Sequence, residues 1–231
     1  MQITEIRTDE TLRELRAHGT PEFPFEYYYD DFNKFSGQSI AWHWHREFEF
    51  VAVDAGPIDC LIGAERLRME IGSGLFINSG AIHRFESTAQ GRMPNILFAP
   101  EFLAERDSLV FRQHILPVLN AGCRFIPLTR GTDAGDAVLH RLRRIFETAQ
   151  SDSPLRTLDL KAESCALWSA LAAHAGERFC ETRSAENAVL QSRLQSMIRF
   201  IETHYPERIA LADIAGAAGV SKSEALRCFH A

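Results

Sequence analysis

One stretch of the sequence constrains the fold most, because it places glycines, histidines and a glutamate at fixed spacings. The first group is Gly37, His43-Trp44-His45, Glu49 and Gly56, and the second runs from Gly72 through Asn78-Ser79-Gly80 to His83. Both groups lie within residues 25–98, where short β-rich runs such as Ile58–Ile62 alternate with Gly and Pro. Several short strands at this spacing are typical of a β-sandwich or β-barrel.

Strand geometry predicts which of these side chains share a cavity. Because side chains alternate between faces, His43 and His45 should point one way, and Trp42 and Trp44 the other. Glu49, beyond a turn, and His83, on a different strand, are expected to reach the same cavity. Three imidazoles and a carboxylate can hold one divalent Zn, Ni, Fe or Mn ion. The same four residues can instead form a polar pocket that binds an organic ligand directly, and both alternatives stay open.

These groups resemble the two signature motifs of the cupin superfamily. The first motif is matched at every fixed position. The second departs from the family pattern, because Asn78 stands where the family has proline and Ser87 where it usually has asparagine. The resemblance covers roughly residues 25–100 and implies a double-sheet β-barrel that is open at one mouth.

The remaining pattern is mainly helical. Residues 8–19 predict a short N-terminal helix. Further along, Val138, Leu142 and Ile145 give the apolar stripe of one helix, and Leu167 and Leu171 belong to the stripe of the next. Together these two helices predict an αα-hairpin. These stripes exceed what a small barrel is expected to cover, so we predict a homodimer formed through residues 136–174. A third helix is predicted from about Ala188 to His204, where Pro206 follows.

The last residues predict a helix-turn-helix. Leu211, Ile214 and Ala218 give one face of a short helix, and Gly219 suits a tight turn because it accepts positive φ. Ser221 and Glu224 have the spacing of a capping box that begins a second helix. An ordinary helical hairpin is the simpler alternative, and a single match of this kind is weak.

The order of these parts resembles the AraC/XylS family of transcriptional regulators. Ile201–Tyr205, Ile209–Ala215 and Ser221–Phe229 carry that resemblance, which spans most of the chain. It implies a sensor barrel and a recognition helix whose DNA-binding residues are Ser221, Lys222, Ser223, Leu226 and Arg227. Ala210 replaces the usual Thr or Ser cap. Family members continue into a second helix-turn-helix, so the resemblance implies a chain truncated after the first one, at Ala231.

Composition narrows the location and the partners. The formal net charge of −6 argues against nucleic-acid binding over the whole surface, although residues 191–231 carry five Lys/Arg against four Asp/Glu. Five scattered cysteines without a C-x-x-C pair favour a reducing compartment. Neither a signal peptide nor a run of apolar residues long enough for a membrane helix is present in the sequence. We therefore expect a cytoplasmic protein without a membrane partner.

The predicted fold class is α+β, and the chain divides into four parts. They are a cupin-like sensor barrel over 1–130, a dimerisation hairpin over 131–178, a linker over 179–187 and a partial helix-turn-helix domain over 188–231. The predicted function is a non-enzymatic, ligand-responsive transcription regulator with DNA and a small-molecule effector as partners. The alternative is a metal-dependent cupin enzyme, a dioxygenase or isomerase, which leaves residues 188–231 without a role.

Overall fold

A computed structural model describes residues 4–180 and 185–230. Its N-terminal part consists of two antiparallel sheets that face each other, which is the predicted cupin-like arrangement in an α+β fold. The five-stranded sheet has the order β1 (Phe25–Asp31), β8 (Arg92–Phe98), β3 (Phe48–Ala52), β6 (Gly74–Ile77) and β9 (Phe125–Leu128). The four-stranded sheet has the order β2 (Ser39–His43), β7 (His83–Glu86), β4 (Ile58–Ile62) and β5 (Glu65–Met69).

Strand β3 shows how alternation divides the interior into two cores. Phe48 and Phe50 are fully buried in a cluster that includes the helices outside the five-stranded sheet. Val51 instead packs in the space between the two sheets with residues such as Phe85. Glu49 shares the parity of Val51, so its carboxylate is buried inside the barrel.

Seven α-helices lie in the described residues. They are α1 (Pro100–Leu103), α2 (Leu116–Leu119), α3 (Asp133–Ala149), α4 (Arg156–Ala175), α5 (Ala185–His204), α6 (Leu211–Ala217) and α7 (Lys222–His230). Shorter helical turns cover Phe32–Lys34, Ser36–Gln38, Phe111–Ile115 and Gly176–Cys180. None of the helices in residues 4–180 and 185–230 is long and apolar enough to cross a membrane.

Helices α3 and α4 form the predicted hairpin, but their apolar stripes are used within the chain. Val138, Leu142, Leu167 and Leu171 are fully buried in the cluster that covers the outer face of the five-stranded sheet. The expectation that this stripe exceeds what the barrel can cover was therefore wrong. The aromatic outer face of the five-stranded sheet is broad enough for both helices to pack on it.

Helices α5, α6 and α7 form a small C-terminal unit that packs on the barrel. Met197 of α5, Ala215 of α6 and Ala225 of α7 share one core with the barrel residues Leu12 and Ile82. Helix α5 begins at Ala185 rather than near Ala188. The predicted linker over 179–187 lies partly outside the described residues, at 181–184.

The N-terminal segment, residues 8–18, is not the helix that its pattern predicts. Thr8 pairs with Glu14, and Arg13 pairs in parallel with Trp44 just beyond β2. Glu14 N donates to Trp44 O at 2.9 Å, and Trp44 N donates to Leu12 O at 3.0 Å. Leu12 has φ = +63°, which a right-handed helix does not permit. The segment pairs with the end of β2, and this tertiary pairing overrides local helical preference.

Candidate functional site

The structure brings His43, His45, His83 and Glu49 together inside the barrel. His43 ends β2 and stands directly across from His83, the first residue of β7. One ring nitrogen from each of the three histidines lies within 4.8 Å of the others, a spacing that can hold a metal ion. All four side chains are buried. We refer to these four residues as the histidine cluster.

Each imidazole is oriented by a main-chain carbonyl. The Nδ1 atoms of His43, His45 and His83 lie 2.8, 3.1 and 2.9 Å from the carbonyl oxygens of Ala41, Glu47 and Ala81, respectively. If Nδ1 donates in each contact, Nε2 carries a lone pair directed away from that carbonyl. This outer hydrogen bond is the one that metal-binding histidines usually make.

Glu49 lies against two of these rings. Its Oε2 atom is 3.0 Å from His83 Nε2 and 3.4 Å from His45 Nε2. His83 Nε2 is buried, yet it has no hydrogen bond of acceptable geometry to any residue that the structure describes. A lone pair on Nε2 that faces a carboxylate is unfavourable unless a proton or a cation joins them. The donor set and the unpaired His83 Nε2 therefore fit a divalent cation.

The electrostatics of the cluster favour a neutral His43 imidazole beside an ionised Glu49 carboxylate. Burial, reinforced by the neighbouring His83, lowers the pKa of His43 to about 3. Burial by itself would raise the pKa of Glu49, but the close approach of the His45 and His83 rings outweighs it and holds that pKa below its usual value. Neutral histidine and ionised carboxylate are the protonation states that bind metal.

Two buried polar residues beside the cluster were not predicted as part of the site. Glu14 and His18 come from the N-terminal segment, and Glu14 Oε2 lies 3.2 Å from His18 Nε2. His18 Nδ1 lies 2.9 Å from the Tyr28 hydroxyl, and its ring centroid lies 5.6 Å from that of His45. The helix predicted for this segment concealed them, although a Glu and a His four residues apart were a visible polar pair.

The space at the cluster is small. A cavity of about 20 Å³, lined in part by Glu14, Asp30, His43 and Glu49, is enough for about one water molecule. A larger groove of about 660 Å³ opens beside it, between the N-terminal segment and the loop that carries His45. The groove has the volume that a small organic molecule needs, whereas the cavity accommodates only an ion or a water molecule.

The predicted DNA-binding residues lie at the beginning and on the outer side of α7. Ser221, Lys222, Ser223, Leu226 and Arg227 are all exposed, whereas Ala225 and Cys228 of the same helix are buried. The turn before α7 uses Gly219 at φ = +63°, and Ser221 Oγ accepts from Glu224 N at 3.1 Å. The expected helix-turn-helix geometry is thus present in α6 and α7.

Two acidic residues, Asp213 and Glu224, form polar contacts in the first turns of α6 and α7. The Asp213 carboxylate accepts from Ala210 N at 2.8 Å, so α6 keeps one half of a capping box although Ala210 has no capping oxygen. Glu224 forms ion pairs with Arg193, at 3.0 Å, and with Arg227. Because the Arg227 side chain is largely exposed, its pairing with Glu224 contributes little stability and can be exchanged for another anion.

Known proteins are similar to this chain over most of its length. A family model described as the AraC-like ligand binding domain matches residues 31–168. An uncharacterised HTH-type transcriptional regulator, YdeC of Bacillus subtilis strain 168, is 27% identical over 224 residues, which are 96% of this chain and 75% of the relative.

Solved structures of similar proteins include two regulators. Apo ToxT from Vibrio cholerae strain SCE256 aligns with 93% of this chain and 81% of its own, at 12% identity and a TM-score of 0.46. The AraC-like transcriptional activator CuxR aligns with 80% of this chain and 61% of its own, at 11% identity and a TM-score of 0.39.

Proposed function

This chain belongs to the AraC-like ligand binding domain family, and from that premise we propose that it is a ligand-responsive transcription regulator. The barrel senses a small molecule or an ion, and α7 binds promoter DNA. One observation carries the proposal: α7 presents an exposed polar face while its apolar face packs in a core that includes barrel residues. The HTH-type regulator YdeC supports the same function. A regulator must reach promoter DNA, and the expected cytoplasmic location is compatible with that requirement.

In the DNA-binding unit, each exposed residue has a distinct role. Lys222 lies at the first turn of α7 and contacts phosphate, which positions the helix without reading sequence. Arg227 exchanges its ion pair with Glu224 for a guanine edge or a phosphate. Leu226, which is exposed despite being apolar, contacts a thymine methyl group.

In the sensor, the histidine cluster binds a divalent ion such as Zn, Ni, Fe or Mn. The supporting observations are three convergent ring nitrogens, a buried carboxylate and an unpaired His83 Nε2. An organic effector in the adjacent groove is the second candidate, since His18, His45 and several arginines line that groove. Bound metal would supply a fixed positive charge inside the barrel. Either ligand, the ion or the organic effector, would then act on the barrel from the same region.

The barrel and the DNA-binding unit are joined through shared strands. His43 faces the interior, and the neighbouring Trp42 and Trp44 pack with the core of the C-terminal unit. The same division holds at β7, where His83 faces inward and the preceding Ile82 belongs to that core. A small change in strand position at the cluster therefore moves residues that support α5 and α7.

A metal-dependent cupin enzyme uses the same four residues, and it remains the alternative function. An enzyme assigns no role to the exposed face of α7, and this observation favours sensing over turnover.

We also propose a homodimer, formed through the outer face of α4 rather than through its buried stripe. Leu158, Ala162, Cys165 and Ser169 lie on one face of this helix, and all four are exposed. The Leu158 side chain, at 64% exposure, is unusually open for a large apolar residue. A second copy of α4 would cover it in an isologous contact.

DNA selection from a random library tests the proposed function. The chain should enrich a sequence motif, and binding to it should weaken as salt rises, because phosphate contacts release counterions. Lys222→Ala should weaken binding to selected and random DNA alike, with a salt slope smaller by about one. Arg227→Ala should lose more affinity for the selected sequence than for random DNA. Arg178→Ala, an exposed cation that follows α4, is the matched control. Absence of any enriched sequence would favour the enzyme alternative.

A further inference from the structure

We propose that Glu14, from the N-terminal segment, is a further ligand of the divalent cation at the histidine cluster. The inference rests on the metal site of the proposed function and adds a second carboxylate to it. Cupin-like spacing identifies only Glu49 as an acidic ligand, so the motif does not point to Glu14.

The first observation is an unpaired carboxylate oxygen. The Glu14 side chain is only 2% exposed. Its Oε2 atom is paired with His18, but Oε1 is buried and has no hydrogen-bond partner among the described residues. A buried carboxylate oxygen without a donor or a cation is costly, since it has lost its hydration. Glu14 Oε1 therefore needs a partner in the adjoining space.

The second observation concerns the residues that line this space and its size. Glu14 lines the same cavity of about 20 Å³ as His43 and Glu49. The cavity is too small for an organic ligand and large enough for an ion or one water molecule. Three carboxyl groups line this cavity, those of Glu14, Asp30 and Glu49. The carboxylates of Glu14 and Glu49 repel each other, and a divalent cation between them removes that repulsion.

The third observation is how Glu14 is held. Its main chain pairs with Trp44, between the two ligands His43 and His45. The residue is thus anchored beside the cluster, as a ligand requires.

Metal titration of the purified chain tests this role. Zn²⁺ affinity is measured by competition with a chromogenic chelator, and Co²⁺ absorption reports the ligand field. Glu14→Gln keeps the shape of the side chain and should weaken Zn²⁺ binding about 10- to 100-fold and shift the Co²⁺ bands. Glu14→Asp should retain more affinity than Glu14→Gln. Glu10→Gln, from the same segment and 85% exposed, is the matched control and should bind as the wild type does.

Proteolysis supplies a second readout that does not depend on affinity. Arg13 and Arg16 flank Glu14 and are exposed, so trypsin can cleave after them when the segment opens. Zn²⁺ should slow this cleavage severalfold in the wild type and in Glu10→Gln, because a Glu14–metal bond holds the segment closed. It should have little effect in Glu14→Gln.

Different outcomes test the role of Glu14 and the presence of a metal site at the histidine cluster separately. Wild-type affinity, unchanged Co²⁺ bands and equal protection in Glu14→Gln would overturn the role of Glu14 and leave the histidine site intact. Zn²⁺ binding by Glu14→Gln that is lost in His43→Ala would identify that intact site. No metal uptake by the wild type would overturn both, while DNA selection would still test the regulator itself.

Discussion

Asp30 shows at the scale of one residue how burial sets the chemistry of the barrel interior. Its Oδ2 atom accepts from Asn95 Nδ2 at 2.7 Å, and Oδ1 has no partner among the residues that the structure describes. Burial, which the Asn95 hydrogen bond only partly offsets, raises the pKa of Asp30 from its ordinary value to about 7. Below about pH 7 the folded protein therefore favours the protonated form of Asp30.

The pH dependence of stability tests this assignment. Because the folded pKa is raised, the contribution of Asp30 is fully present below about pH 4 and is lost as pH rises through about 7. Asp30→Asn removes the titration. Relative to this variant, the wild type should lose a few kcal/mol, at most roughly 4, between pH 4 and 8 in urea unfolding. Equal pH profiles of the two proteins would show that Asp30 stays ionised in the fold.

Sequence reasoning found the four residues of the histidine cluster because strand alternation and fixed spacing are local rules. His43, His45, Glu49 and His83 indeed meet in the barrel. Glu14 could not be found in this way. Its position depends on a pairing with Trp44, thirty residues away in the sequence, which no local pattern encodes.

At the scale of elements, α4 has two apolar faces with different roles. Leu171 is fully buried against the sheet, so Leu171→Ala should cost about 2–5 kcal/mol of unfolding free energy. Leu158 is exposed, so Leu158→Ala should change the stability of the monomer by less than about 0.5 kcal/mol. Chemical denaturation at a concentration that keeps the protein monomeric measures both.

The same helix provides the test of the homodimer. Leu158→Glu should shift the protein from dimer to monomer in sedimentation equilibrium while its melting curve as a monomer is unchanged. Thr157→Glu, at an exposed neighbouring position of the same helix, is a control for the added charge. A wild type that is monomeric at tens of micromolar, on the order expected for a specific interface, would contradict the dimer.

Elements were predicted well where a periodic pattern matched the local environment. Strand β4 has the predicted bounds Ile58–Ile62, and the hairpin of α3 and α4 was expected from its stripes. Strand β9 was missed because its four residues, Phe125–Leu128, lie in a region with a mainly helical pattern. The helix predicted over 8–19 was wrong, since Leu12 adopts positive φ where the segment meets β2. A stripe also does not reveal which surface it covers, so the burial of Leu167 and Leu171 within the chain was not foreseen, and the homodimer through 136–174 stays a prediction.

At the scale of the whole molecule, the histidine cluster and the C-terminal unit of α5, α6 and α7 contact opposite faces of the same strands. His43 and His83 of the cluster face the barrel interior from the four-stranded sheet, and the core of α5, α6 and α7 includes the neighbouring Trp42 and Ile82. Glu10 adds an ion pair to Arg199 of α5 at 3.4 Å. Occupation of the cluster therefore has a short physical route to the orientation of α7.

The most direct measurement is the affinity for a selected DNA sequence with and without ligand at the cluster. Fluorescence anisotropy would compare the wild type and His43→Ala in chelator and in Zn²⁺. We expect Zn²⁺ to change the wild-type Kd by about 5-fold or more, as allosteric coupling usually does. We expect no change in His43→Ala. Equal Kd values for the wild type in both conditions, with metal shown to be bound, would contradict the claim that the cluster controls DNA binding.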